Sequence, residues 1–131
     1  MLATRKNTQE YNALAEMVCT YAKKSGYEDI KADFTGYDSP AALTMVKENI
    51  KLTPDFTAKR GNKKFYFELV VKEQSEDDQD LLISKWKALE LFANMKGGSL
   101  QLFVQNGSLK YANSLIKDNG ITAKIIKLNS L

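Results

Sequence analysis

The chain has 131 residues, the length of one domain, and its 44% hydrophobic and 27% charged residues are ordinary for a soluble globular protein. It contains one cysteine and no histidine. These counts exclude an internal disulfide, a Cys cluster for zinc, His-ligated metals and the Ser-His-Asp and Cys-His catalytic arrangements. The net charge of +3 is compatible with contact to a phosphate backbone but does not demand it. Any chemistry must therefore use carboxylates, lysines, hydroxyls and a hard cation held by oxygen ligands.

The sequence predicts neither a membrane span nor a secretory signal. No apolar run approaches roughly 18 residues, the length that a membrane-spanning helix needs. Residues 1–12 lack the apolar core of a secretory signal. We therefore expect one cytoplasmic domain over residues 1–131 with no membrane partner.

A helix is predicted over residues 7–24. Its apolar stripe consists of Tyr11, Leu14, Met17, Val18 and Tyr21. Glu10 projects about 40° from Leu14 in helical geometry, toward the core side. An unpaired buried carboxylate is costly, so we expect Glu10 to lie at the rim of the core, to contact a lysine or to face a site.

A half-buried strand is predicted over residues 27–34, after the helix stop at Gly26. The residues on its apolar side are Ile30, Ala32 and Phe34. Residues 36–40 are a turn cluster. Pro40 begins either a short helical turn through Val46 or a loop that leads inward.

A β-hairpin is predicted over residues 51–73. Gly61-Asn62 is its two-residue turn, because glycine accepts the positive φ that the first turn position demands. The flanking strands are predicted at residues 53–59 and 64–71. The second strand is apolar on both faces except for Glu68, which is typical of a central strand covered on two sides.

The register of this hairpin predicts that two carboxylates meet. A turn at residues 61 and 62 places Asp55 directly opposite Glu68, and both side chains then project from one sheet face. Opposed side chains have Cβ atoms about 4.5–5.5 Å apart, and like charges at that separation destabilise a sheet. A divalent cation would offset the repulsion. A slipped register or a raised pKa of one carboxyl group would remove this argument for a metal.

Helices and strands alternate in the rest of the chain. A helix is predicted at residues 77–96, a strand at 100–104, a helix beginning at 106–108 and a strand at 121–128. The first of these helices carries two apolar stripes, so it is either sandwiched within the fold or presents one face to another subunit. Trp86 is expected to be a core anchor. The element order αβββαβαβ predicts an α/β fold with a central mixed five-stranded sheet flanked by helices.

This order, with Pro54-Asp55 on the second strand and Glu68 on the third, resembles the PD-(D/E)xK nuclease superfamily and its restriction-endonuclease-like core. In that family the two acids hold a magnesium-type ion, a lysine two residues after the second acid steadies the attacking water, and an acidic residue of the first helix often assists. The resemblance implies Asp55, Glu68 and Glu10 as metal ligands. It also implies Mg²⁺ or Mn²⁺ as the cofactor and DNA as the partner.

The lysine position departs from the family pattern, because Val70 stands two residues after Glu68. Lys72 projects from the same sheet face as Glu68 but lies about 13 Å further along the strand, so it reaches the acids only if a bulge shortens the path. The resemblance thus implies Asp55, Glu68 and Lys72 as catalytic residues. Lys85 of the following helix is a second candidate for the lysine.

Three functions are compatible with these residues. The first is a Mg²⁺- or Mn²⁺-dependent phosphodiesterase that acts on DNA, which the opposed pair Asp55 and Glu68 favours over the third. The second is a catalytically degenerate module of the same fold that binds nucleic acid or protein, and Val70 favours it over the first. The third is a structural homo-oligomer whose interface is the second apolar face of the helix at residues 77–96.

Overall fold

The computed structural model describes residues 9–34, 36–45, 50–70 and 76–131. Within these ranges the chain is one α/β domain with three α-helices. The helices are α1 (Gln9–Lys24), α2 (Glu76–Met95) and α3 (Leu109–Asp118). The strands are β1 (Glu28–Ala32), β2 (Leu43–Met45), β3 (Ile50–Leu52), β4 (Phe56–Arg60), β5 (Lys63–Val70), β6 (Leu100–Val104) and β7 (Lys124–Lys127). None of the described helices is both long enough and apolar enough to cross a membrane.

The main sheet of the described residues has five strands in the order β1-β4-β5-β6-β7. β4 is antiparallel to β1 and to β5, whereas β5, β6 and β7 are parallel to one another. The predicted mixed five-stranded sheet is therefore confirmed, and β5 is its central strand. α2 connects β5 to β6 and α3 connects β6 to β7, as parallel neighbours require.

The predicted hairpin register is also confirmed. Gly61 has a φ of 64°, and Arg60 pairs with Lys63 while Phe56 pairs with Phe67. β4 begins at Phe56, three residues later than the predicted strand, so Asp55 lies in the bend that leads into β4. Proline cannot donate to a strand ladder, and the chain enters β4 only after Pro54.

Alternation along β5 sends its side chains into two separate cores. On one face, Phe65 and Phe67 pack in a cluster with Val18 of α1. On the other face, Tyr66 packs in a cluster with Trp86 of α2. Trp86 is fully buried, as expected of a core anchor.

Residues 43–45 correct the prediction of a helical turn. They form β2, which pairs antiparallel with β3 in a separate two-stranded sheet; Val46 lies outside the described residues. Leu43 and Leu52 pack partly buried against the cluster that contains Trp86. This tertiary contact stabilises two strands of three residues that are too short to give a periodic signal. The order αβββαβαβ is therefore interrupted by β2 and β3.

The last strand and the apolar faces of α2 also differ in detail from the prediction. β7 covers residues 124–127, and a 3₁₀ helix follows at Leu128–Ser130. On α2, the second predicted apolar stripe is only partly covered: Ala88 is buried, whereas Leu91 and Met95 are exposed. This stripe consists of Leu81, Ala88, Leu91, Phe92 and Met95. A second subunit on this stripe stays a prediction.

Candidate active site

Asp55 and Glu68 converge on the sheet face that packs against α2. The backbone N–H of Asp55 donates to Oε2 of Glu68 at 2.7 Å, and the backbone N–H of Leu69 donates to Oδ2 of Asp55 at 2.9 Å. Each carboxylate therefore uses one oxygen to bind an amide across the hairpin. Hydrogen bonds to ionised carboxylates are stronger than neutral ones, so these two bonds fix both side chains.

Lys85 of α2 approaches the other oxygen of each carboxylate. Its Nζ atom lies 3.5 Å from Oδ1 of Asp55 and 3.1 Å from Oε1 of Glu68. Asp55 and Glu68 are 0% exposed and Lys85 is 5% exposed. An ammonium group of the protein itself thus offsets the repulsion between the two acids, so that repulsion is no longer an argument for a metal.

Lys85 reaches this position because it occupies a core-facing position of α2. Leu82, three residues before it, and Leu89, four residues after it, are both buried, and residues at these spacings share one helix face. A lysine in the apolar stripe of a helix is itself a sequence signal, because lysine is almost never fully buried unless it is paired. Of the two lysines considered from the sequence, the structure brings Lys85 to the acids.

The three side chains carry one net negative charge when all are ionised. Buried charges cost several kcal/mol each unless they are paired, and the two amide bonds and the ion pairs supply that pairing here. The cluster is therefore held together by partners that depend on one another.

The donor chemistry of the two acids fits Mg²⁺ or Mn²⁺, which prefer carboxylate oxygens. The Nζ atom of Lys85 lies where Oδ1 of Asp55 and Oε1 of Glu68 converge, so a divalent ion bound to both oxygens requires a shift of the ammonium group. Among the described residues, no group of three or more His, Cys, Asp or Glu side chains is arranged to hold a metal. Asp55 and Glu68 are the carboxylates that converge at this point of the described structure.

The other predicted site residues are less directly placed. Glu10 lies in the first turn of α1, whose described core residues pack on the opposite face of the sheet; the side chain of Glu10 is outside the described part of the structure. Lys72 is also outside the described residues. Val70, at the position of the family lysine, is buried in the apolar cluster beside α2.

No protein-family model, no curated protein and no solved structure matches this chain. The resemblance to the PD-(D/E)xK superfamily therefore rests on the element order, on Pro54-Asp55 and on Glu68. The geometry adds one observation to it, the ion pairs of Lys85 with both acids. A function for the chain must be argued from this cluster.

Proposed function

We propose that the chain is a PD-(D/E)xK nuclease with a restriction-endonuclease-like fold, a divalent-metal-dependent phosphodiesterase that acts on DNA. The observation that supports this proposal is the convergence of Asp55, Glu68 and Lys85 at 3.1 to 3.5 Å. Two carboxylates and one lysine are the residue types of the superfamily site, with α2 supplying the lysine in place of β5. Because a fold does not determine a function, the proposal depends on these side chains.

Each side chain has a distinct role in the proposed reaction. Asp55 and Glu68 would hold Mg²⁺ or Mn²⁺, and Glu10 would be the third acidic ligand that the resemblance implies. The bound ion supplies polarisation of the phosphate and a lower pKa of the attacking water. Lys85 has three N–H donors, so it can keep a bond to one carboxylate and direct another donor at the water or at the developing negative charge. Lys72 stays in the proposal as a further donor.

The burial of the cluster favours a second candidate, a catalytically degenerate module of the same fold. Both acids are fully buried, and the β2–β3 sheet packs on the same face of the main sheet, where Leu43 and Leu52 contact the cluster of Trp86. A phosphodiester reaches the acids only if the groups that bury them move. In the second candidate the ion cluster stabilises the fold and the protein binds nucleic acid or protein elsewhere.

A nuclease assay with Mn²⁺ on duplex DNA separates the two candidates. The variants are Asp55→Asn, Glu68→Gln and Lys85→Gln; the first two retain an oxygen that accepts the backbone amide bond. For an enzyme, we expect cutting by the parent and losses of at least about 100-fold in each variant, the scale of losing one electrostatic contact to the transition state. Asp118→Asn and Lys87→Gln, at exposed positions of α3 and α2, are the matched controls and should cut like the parent.

Thermal unfolding of the same proteins shows whether each variant is folded, and Mn²⁺ should raise the melting temperature of the parent more than that of Asp55→Asn. A folded parent that cuts DNA with neither Mg²⁺ nor Mn²⁺ would contradict the enzyme. It would leave the binding module as the function.

A further inference from the structure

We propose that four lysines beside the candidate site form a binding surface for the phosphate backbone of nucleic acid. This lysine patch consists of Lys31 of β1, Lys59 of β4, Lys64 of β5 and Lys96 at the end of α2. The choice of nucleic acid as the ligand rests on the proposed function. The location of the site rests on the geometry of the described residues.

The hairpin register brings the patch together. Lys59 lies directly opposite Lys64, and Lys31 pairs with Thr57 on the other side of β4. The backbone N–H of Lys64 donates to the carbonyl oxygen of Lys96 at 3.4 Å, which fixes the chain at Lys96 next to β5. Three strands and the end of α2 thus contribute one lysine each.

The patch and the acid pair share one face of the sheet. Lys59 follows Asp55 by four residues, and Lys64 precedes Glu68 by four residues, so alternation places all four side chains on the same side. Four residues of strand span about 13 Å. The same hairpin therefore presents an opposed acid pair at one end and an opposed lysine pair at the other.

A small cavity lies within the patch. It has a volume of about 70 Å³ and is lined by Lys31, Lys59 and Lys64, by Thr57 and by Asp29. Holding one water molecule takes roughly 10–15 Å³ of volume on this scale, so the cavity has room for several water-sized atoms, such as the oxygens of a phosphate group. Its lysine and threonine side chains are hydrogen-bond donors, and lysine binds phosphate as a point charge.

Among the described residues, two acids lie next to the patch and offset its positive charge in part: Glu28, the register partner of Lys59 on β1, and Asp29. Like charges that are directly opposed destabilise a sheet, and Lys59 and Lys64 are opposed. Asp29 lies 3.6 Å from Lys59, but both side chains are about half exposed, and such pairs contribute little. Burial of Lys64, together with the charges of Lys96, Lys59 and Lys31, lowers the pKa of Lys64. A bound anion would relieve this repulsion.

The distance to the acid pair favours a polyanion over a free phosphate ion. One strand of B-DNA advances about 3.4 Å per nucleotide, so about 13 Å of sheet corresponds to about four nucleotides. A strand whose phosphate is held in the patch is therefore long enough to span the distance to Asp55 and Glu68, and it reaches them only if the groups that bury the acids move. The patch would position the backbone while the acids act on it.

The test compares two double variants that remove the same charge. Lys31→Gln with Lys64→Gln changes the patch and leaves the pair of Lys59 with Asp29 in place. Lys110→Gln with Lys117→Gln changes two exposed lysines of α3 and is the control. Binding of a short fluorescent duplex is measured by anisotropy in EDTA over roughly 50 to 200 mM KCl, where phosphate contacts give a strong salt dependence.

The patch variant is expected to bind the duplex at least about tenfold more weakly than the control variant. Its plot of log K against log salt concentration should also be less steep than that of the control by about 1.8, which is about 0.9 for each of the two lost phosphate contacts. Equal binding by the two variants would overturn the proposal. So would displacement of the duplex by inorganic phosphate as efficiently as by unlabelled duplex, because the cavity would then be a small-anion site. Thermal unfolding of both variants confirms that they are folded.

The binding experiment and the nuclease assay give independent results, because binding is measured in EDTA, without divalent metal. A parent that does not cut, but whose binding depends on the patch, contradicts the enzyme and supports the patch. A parent that cuts, with a patch variant that binds like the control, supports the enzyme and overturns the patch.

Discussion

The two faces of β5 are buried to the same depth but are built from different chemistry. Phe67, which faces α1, is fully buried and meets Phe103 edge to face with ring centroids 5.1 Å apart. Glu68, the next residue, is equally buried but faces α2 and forms an ion pair with Lys85. Full burial of a large apolar side chain contributes about 1.5–3 kcal/mol, whereas a buried carboxylate requires compensation by partners. The α1 face stabilises the fold, and the α2 face carries the groups that can do chemistry.

The ring contacts of the α1 face extend beyond β5. Tyr27 meets Phe65 and Phe67 edge to face at 5.1 and 5.3 Å. Arg60 lies over the ring of Tyr27 at 4.4 Å and its Nη1 donates to the carbonyl oxygen of Ser25 at 3.3 Å. This cluster therefore ties the hairpin to the segment between α1 and β1.

Two variants share the largest expected effect, and the first is Lys85→Ala, which removes the common partner of two buried acids. We expect a loss of about 3–5 kcal/mol in the free energy of unfolding, because an uncompensated buried charge remains. Urea unfolding measures this loss. Lys87→Ala, two residues further along α2 and exposed, should change stability by less than about 0.5 kcal/mol. Equal stabilities of the two variants would contradict the ion cluster.

Phe67→Ala tests the α1 face alone. We expect a loss of about 3–5 kcal/mol in the free energy of unfolding, the usual cost of truncating a buried phenylalanine. Because the acids lie on the other face, the additional stability that Mn²⁺ gives should be the same as in the parent. Unfolding with and without Mn²⁺ measures both quantities. A Phe67→Ala variant that is folded but no longer responds to Mn²⁺ would show that the two faces are coupled.

Gly98→Ala should disturb both faces at once. A Cβ atom at Gly98 would lie 1.9 Å from the carbonyl oxygen of Lys64, at the start of β5, so the backbone must move. Overpacking of this kind costs about 1–3 kcal/mol. Thermal unfolding should show the loss, while the exposed Asn94→Ala should melt close to the parent. A Gly98→Ala variant as stable as Asn94→Ala would contradict the close approach of the two segments.

The smallest effect is expected in the alkaline pH dependence of stability, where the two faces act in opposite directions. Burial raises the pKa of Cys19, on the α1 side, above its ordinary value of 9.0. Burial and the neighbouring lysines lower the pKa of Lys64, on the α2 side, below 10.5. The protonated thiol of Cys19 contributes its full share of stability below pH 9.0, and this share is lost as the pH rises through the raised pKa. Lys64 has the opposite effect, because stability increases as the pH rises from its lowered pKa toward 10.5.

Urea unfolding from neutral to alkaline pH measures the two contributions separately. Relative to the parent, Cys19→Ala should lose less stability as pH rises above 9.0, and Lys64→Gln should lose more. Parallel curves for all three proteins would contradict both shifts.

The hairpin could be predicted from sequence because its information is local. Gly61-Asn62 determines a two-residue turn, and that turn determines the register of every pair that follows, including the approach of Asp55 to Glu68. β2 and β3 could not be predicted, since strands of three residues show no periodicity and depend on packing against the cluster that contains Trp86. The position of Lys85 could be predicted only in part. Its place in the apolar stripe of α2 is a sequence signal, but its distance from the acids depends on how α2 packs on β5.

The three charged groups of the site come from different elements, so they can meet only when those elements pack together during folding. Asp55 and Glu68 belong to one hairpin, and hairpins form in about 1–10 µs, whereas Lys85 arrives only when α2 docks on the completed strand. The early hairpin therefore carries an unrelieved repulsion while water still surrounds it. Docking of α2 removes that water and brings Lys85 to both acids, so the acids become buried and paired together.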